Sequence, residues 1–140
     1  MSAEILIIDD NSDIRLILNE LISEAGYKTR LAANYNQALI EIDKKLPDVA
    51  IIDVKLDKGD NDGIELLSHI KNKDKDIPVI IISGHANIDM AIKSLKSGAF
   101  EFIQKPFDRD RLMNFVKRAV ENFNLKSENK NLQNKLFHTF

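Results

Sequence analysis

The sequence contains no cysteine, and only three histidines, at positions 69, 85 and 138. That excludes a disulfide framework and a thiolate-held zinc site, and leaves carboxylates as the main side chains that could hold a metal. Neither sign of charge predominates, since 20 basic and 22 acidic residues give a formal net charge of −2. Nothing in that balance advertises a nucleic-acid or membrane surface, and no nucleic-acid contact by this domain is expected. No apolar run approaches the roughly 20 residues needed to span a bilayer. The first residues, "MSAEILIIDD", lack the charged start and apolar core of a signal peptide, so the expectation is a soluble cytoplasmic protein.

The 140 residues, 44% of them hydrophobic, suffice for one globular domain with a short appendage. Five short apolar runs recur: "EILII" (4–8), "KTRLA" (28–32), "VAII" (49–52), "PVIII" (78–82) and "FEFI" (100–103). Their length and β-branched content predict strands. Helical stripes lie between and after them: Ile14, Leu18, Leu21, Ile22 and Ala25; Leu39, Ile42 and Leu46; Ile64, Leu67 and Ile70; Ile88, Ile92 and Leu95; and Leu112, Phe115, Val116, Ala119, Val120 and Phe123. Ser12 or Asp13 can cap the first helix, and Gly26 and Gly98 can stop the first and fourth.

The first, third and fourth runs are almost continuously apolar, as strands covered on both faces are. Strict βα alternation then predicts an α/β fold: a doubly wound five-stranded parallel sheet of the flavodoxin-like order 2-1-3-4-5, with helices on both faces. Residues 1–123 make the domain. After Phe123 the chain turns to "NLKSENKNLQNKLFHTF", so 124–140 are a helical extension or a linker toward an absent output domain. Leu125, Asn129, Leu132 and Leu136 are spaced four, three and four residues apart, the alternation of a coiled-coil seam. A solvated, fraying helix end would show no need for that spacing but is equally open.

In such a sheet the strand C-termini share one edge, where ligands of α/β folds bind. The first strand runs into Asp9 and Asp10, the third into Asp53, the fourth into Ser83 and Gly84, and the fifth into Lys105 and Pro106. Three carboxylates therefore converge. Two like charges about 4 Å apart repel by on the order of 4 kcal/mol at an effective dielectric of 20. Raised carboxylate pKa values or a hard divalent cation would relieve that repulsion, and an all-oxygen set suits Mg²⁺. The loop acids Asp57, Asp60 and Asp62 do not have calcium-loop spacing and are expected to form a solvated acidic loop, and His69 and His85 are expected to be exposed.

With "IIDD" after the first strand, "IIDV" after the third, then "IISG" and "FIQKPF", the chain resembles the receiver domain of two-component response regulators over residues 4 to about 123. The resemblance implies that Asp53 is the phosphoacceptor, taking a phosphoryl group from a sensor histidine kinase. It implies Mg²⁺ held by Asp9, Asp10, Asp53 and the backbone carbonyl of Lys55, with Lys105 contacting the acyl phosphate. Ser83 becomes the switch hydroxyl, Phe102 the aromatic switch residue, and the Lys105–Pro106 bond cis. It implies a signalling domain whose only chemistry is its own phosphorylation and dephosphorylation, and no bound organic cofactor. A homodimer through the fourth helix, fifth strand and fifth helix follows from the same likeness, as does control of a downstream transcriptional output; the spacing of the tail leucines adds or substitutes a contact through the C-terminal helix.

Two departures stand out. Receivers commonly place a proline soon after the phosphoacceptor and a glycine eight positions on, whereas "DVKLDKGDNDG" has Asp57 and reaches Gly63 two residues later. With "SGHANID" and "FIQKPFDRDRL", that longer loop resembles the receivers of NtrX-type nitrogen-regulation proteins, which act on σ54 polymerase. The other departure is Phe rather than Tyr at 102, which keeps the ring and loses a hydroxyl. An aspartyl-phosphate hydrolase would also use a carboxylate nucleophile with Mg²⁺, but wants a second aspartate where Lys55 stands. A flavodoxin-like nucleotide binder would want a phosphate loop where "DDNSD" places acids.

Overall fold

The computed structural model describes residues 3–84 and 88–139, with side chains described through residue 129. Strands β1 (Glu4–Ile8), β2 (Lys28–Ala32), β3 (Val49–Asp53), β4 (Val79–Ser83) and β5 (Glu101–Gln104) alternate with helices α1 (Ser12–Glu24), α2 (Tyr35–Lys44), α3 (Asp62–Lys73), α4 (Ile88–Lys96) and α5 (Arg109–Thr139). All strand pairings are parallel and the order is β2-β1-β3-β4-β5, as the alternation predicts. His85 lies outside the described residues.

Successive side chains along a strand point to opposite faces, and here both faces are covered. Leu6, Ile8, Ala50, Ile52, Val79 and Ile81 face one core with Ala38, Ile42, Leu66, Leu67 and Ile70 of α2 and α3. Ile5, Ile7, Val49, Ile51, Ile80 and Ile82 face the other with Leu18 and Ile22 of α1 and Leu112, Val116 and Ala119 of α5. Every residue of β3 and β4 is buried, whereas the outer strands β2 and β5 carry exposed positions. That division explains why the inner strands read as unbroken apolar runs.

One expectation changes. The cap of α1 is Asn11, one residue before Ser12, because its Oδ1 accepts the amides of Asp13 and Ile14 at 2.9 and 3.2 Å. The α4 stripe of Ile88, Ile92 and Leu95 does not enter the core: these residues are 77%, 45% and 49% exposed. On α4 the buried residue is Ser94, whose hydroxyl folds back onto the carbonyl of Met90 at 2.9 Å. Gly26 and Gly98, with φ of +95° and +106°, end α1 and α4 as expected.

Helix α5 continues unbroken to Thr139, and Lys126 reaches Asp76 in the α3–β4 turn at 3.9 Å. Leu125 is 61% exposed, and the side chains of Leu132 and Leu136 lie outside the described residues. Among the described residues no helix is long and apolar enough to cross a membrane.

Candidate phosphoacceptor and metal site

Register decides which groups meet. Ile52 pairs with Ile8 and Asp53 with Ile82, so the ends of β1, β3 and β4 are level. Asp53 closes β3 and Asp9 follows β1 directly. The sheet order makes these strands neighbours. One carboxylate oxygen each from Asp9, Asp10 and Asp53 lies within 4.8 Å of the others. Asp9 and Asp53 are buried and Asp10 is exposed.

Lys105 answers the repulsion within this trio. Its Nζ donates to Asp9 Oδ2 at 2.9 Å and to Asp53 Oδ2 at 3.1 Å. Its backbone is anchored beside β4, where the Lys105 amide donates to the Ser83 carbonyl at 2.7 Å; the Lys105–Pro106 bond is cis. Asp9 is fixed twice over: its Oδ1 accepts the Asn11 amide at 2.9 Å, and its carbonyl accepts Arg15 Nη1 at 2.7 Å. Asp53 Oδ1 accepts the Lys55 amide at 3.4 Å, which brings the peptide of residue 55 to the site.

Burial, and then the negative charge of Asp9, push the Asp53 carboxyl up to about 6, with Lys105 pulling the other way. Burial alone would depress Lys105, but its bond to Asp9 and the charges of Asp53 and Asp9 outweigh it, and the ammonium is held above its ordinary range. For an acid whose folded pKa is raised, the cost to stability is absent below the unfolded value near 4 and complete above about 6. At neutral pH the fold therefore carries an ionised, under-neutralised Asp53, as a site poised for an incoming cation would.

Asp10, Asp53, Val54, Lys55, Asp60, Ser83, Gly84, Met90 and Lys105 line a cleft of about 500 Å³. Ser83 is buried at its wall, and Phe102 is half-buried against the core layer that also holds Met90. The donor set fits Mg²⁺: its side-chain ligands are carboxylate oxygens, the trio opens onto solvent through Asp10, and among the described residues no histidine or cysteine joins the group. His69 lies elsewhere, its Nε2 3.2 Å from Asp43 Oδ1.

The β3–α3 loop is not simply solvated. Asp60 is exposed and pairs with Lys55 at 3.7 Å. Asp57 instead accepts the Tyr35 amide at 2.9 Å, and Asp62 is buried, with its Oδ2 accepting the amides of Lys58 and Gly59 at 2.8 and 3.0 Å. At Gly63 the first turn of α3 meets β3 so closely that a Cβ would stand 2.3 Å from the Asp53 carbonyl oxygen. Reading the sequence by charge missed both; the "DG" at the end of an acidic loop, just before an apolar helical stripe, was the available signal.

The sequence matches the response regulator receiver domain family over residues 5–117. It is 39% identical to the nitrogen assimilation regulatory protein NtrX of Azorhizobium caulinodans across 95% of this chain and 29% of that protein, so the chain spans less than a third of that relative. The crystal structure of the receiver domain of NtrX from Brucella abortus is similar, with TM-score 0.77 and 39% identity, over 84% of this chain and 98% of that one. The solution structure of a beryllofluoride-activated NtrC4 receiver domain dimer aligns with TM-score 0.79 and 33% identity, covering 86% of this chain and 98% of that chain.

Proposed function

The chain belongs to the response regulator receiver domain family, and from that premise we propose that Asp53 accepts a phosphoryl group from the phosphohistidine of a sensor kinase. The observation that carries this reading is the buried Asp53 carboxylate, which shares Lys105 with Asp9 on the wall of an open cleft. An Asp53 oxygen attacks phosphorus, the P–N bond breaks with its electron pair returning to the imidazole, and an acyl phosphate remains. Asp9, Asp10, Asp53 and the carbonyl of Lys55 would hold Mg²⁺, which when bound would supply positive charge to the transferring oxygens and relieve the carboxylate repulsion. Lys105 contributes an ammonium to the same oxygens. Asp9, gripped by Asn11 and Arg15, keeps its place as charge moves.

The added group carries roughly −1.5 to −2 charge near neutral pH. Ser83 turns its hydroxyl toward it, and Phe102 follows into the space Ser83 leaves, biasing α4, β5 and α5. The exposed Ile88, Ile92 and Leu95 on α4 support a homodimer through that face, as does likeness to a receiver solved as a dimer. Similarity to the nitrogen assimilation regulatory protein NtrX and to the DNA-binding transcriptional regulator NtrC supports a part in regulating transcription.

Incubated with acetyl phosphate and Mg²⁺, the chain should gain the mass of one phosphoryl group. Asp10→Asn should melt at a higher temperature without metal and show a smaller rise on adding Mg²⁺. An unchanged mass, or an undiminished Mg²⁺ response in Asp10→Asn, counts against the site.

The continuous α5 supports a second contact, in which Leu125, Asn129, Leu132 and Leu136 pair two copies and lead toward an output domain. Sedimentation of the intact chain beside one ending at Phe123 tests this. Association should weaken on truncation, and equal association in both would return the tail to a solvated helix end.

A further inference from the structure

Asp62 opens α3 yet does not behave as a helix-start carboxylate usually does. The residue before it, Asn61, occupies the cap position and makes no side-chain cap bond. Asp62, at the first helical position, turns backward instead. Its Oδ2 accepts two consecutive loop amides, Lys58 at 2.8 Å and Gly59 at 3.0 Å, and the residue is only 4% exposed. A buried charge is costly unless hydrogen-bonded, so these two amides and the positive end of α3 are what keep it there.

The loop that Asp62 grips is the one that leaves the phosphoacceptor. The Gly63 amide donates to the Val54 carbonyl at 2.8 Å, closing residues 54–63 into a ring at the end of β3. Within the ring lie Lys55, whose amide meets Asp53 Oδ1, and Asp60, which pairs with Lys55. The Asp57 bond to Tyr35, and the Lys58 ammonium 5.3 Å from the centre of the Tyr35 ring, tie its outer side to α2. Asp62 is the brace across its middle, and the Asp53 chemistry leaves that brace unused.

We propose that Asp62 is a positioning residue for metal binding: by holding the Lys58 and Gly59 amides it keeps the loop on the one path that presents the peptide of Lys55 beside Asp53. This rests on the reading of Asp9, Asp10 and Asp53 as a Mg²⁺ site. Without the brace the loop samples other paths, and a ligand that needs one path binds more weakly by the fraction of time that path is occupied. If that fraction falls to about one in ten, the apparent dissociation constant rises about tenfold.

The test is calorimetric titration with Mg²⁺ alone, without phosphoryl donor, on the parent chain, Asp62→Ala and Asp62→Asn. Asp62→Ala should bind Mg²⁺ about tenfold more weakly. Asp62→Asn, whose amide oxygen can accept both bonds, should stay within about threefold of the parent, a rescue that loss of packing alone would not give. Hydrogen exchange on the parent chain needs no variant to fold. By reciprocity of linked equilibria, Mg²⁺ should slow exchange at the amides of Lys58 and Gly59.

Parent-like Mg²⁺ affinity in Asp62→Ala, whatever its melting temperature, overturns the proposal. Equal weakening in both variants overturns it too, since charge rather than the two bonds would then matter, as does exchange at residues 58 and 59 that Mg²⁺ leaves unchanged. A parent chain that binds no Mg²⁺ refutes the metal site itself, a result distinct from failure of the brace.

Discussion

Gly63→Ala is expected to cost about 3 kcal/mol or more of stability, lowering the melting temperature by roughly 10 °C. The cause is space rather than backbone conformation. A Cβ at this position would stand 2.3 Å from the Asp53 carbonyl oxygen, 2.7 Å from the Val54 Cα and 2.9 Å from the Asp53 carbonyl carbon. All three are backbone atoms of β3 and the turn that follows it, and none can swing aside as a side-chain tip would. Either α3 lifts away, losing the Gly63–Val54 hydrogen bond and disturbing the burial of Ile64 and Leu67, or Asp53 is displaced. Both routes damage the site, so phosphoryl uptake should fall together with stability. Gly84→Ala is the control, because among the described residues a Cβ there comes no nearer than 3.8 Å to a neighbour, the Lys105 Cδ. Thermal melts of the two variants decide it, and a parent-like melting temperature for Gly63→Ala would contradict the close approach.

How much of this was legible in the sequence follows from what each residue depends on. Inner strands announce themselves because Ile5 to Ile8, Val49 to Ile52 and Val79 to Ile82 must be apolar on both faces. The convergence of Asp9, Asp53, Ser83 and Lys105 was legible for the same reason, since parallel order alone puts their strand ends on one edge. Helix α4 was legible as a helix, but a stripe at helical spacing says only that one face is apolar, not what covers it. Ile88, Ile92 and Leu95 face outward here, and tertiary context decided that. The acidic loop was misread. A count of charges cannot distinguish Asp60, exposed beside Lys55, from Asp62, buried against two backbone amides. That difference depends on the path of a non-repeating backbone, which no periodicity encodes.

Loss of the nucleophile should have the largest effect on function. Asn at 53 preserves the shape of the side chain but has no carboxylate to form an acyl phosphate, while Lys105 keeps its bond to Asp9. Phosphoryl uptake by Asp53→Asn should therefore be abolished rather than slowed. In the parent chain uptake should rise between pH 5 and pH 7, because an Asp53 carboxyl raised to about 6 by burial and by Asp9 is mostly protonated at the lower end of that range. Bound Mg²⁺ moves the rise toward lower pH by favouring the carboxylate. Lys105→Ala should still take up the phosphoryl group, though more slowly without the ammonium beside Asp53, and should lose the link between that group and the end of β5.

The most direct measurement is the intact mass of the parent chain and of Asp53→Asn after incubation at pH 7 with acetyl phosphate and Mg²⁺. The parent should gain one phosphoryl group and Asp53→Asn none; equal labelling of the two would overturn Asp53 as the phosphoacceptor.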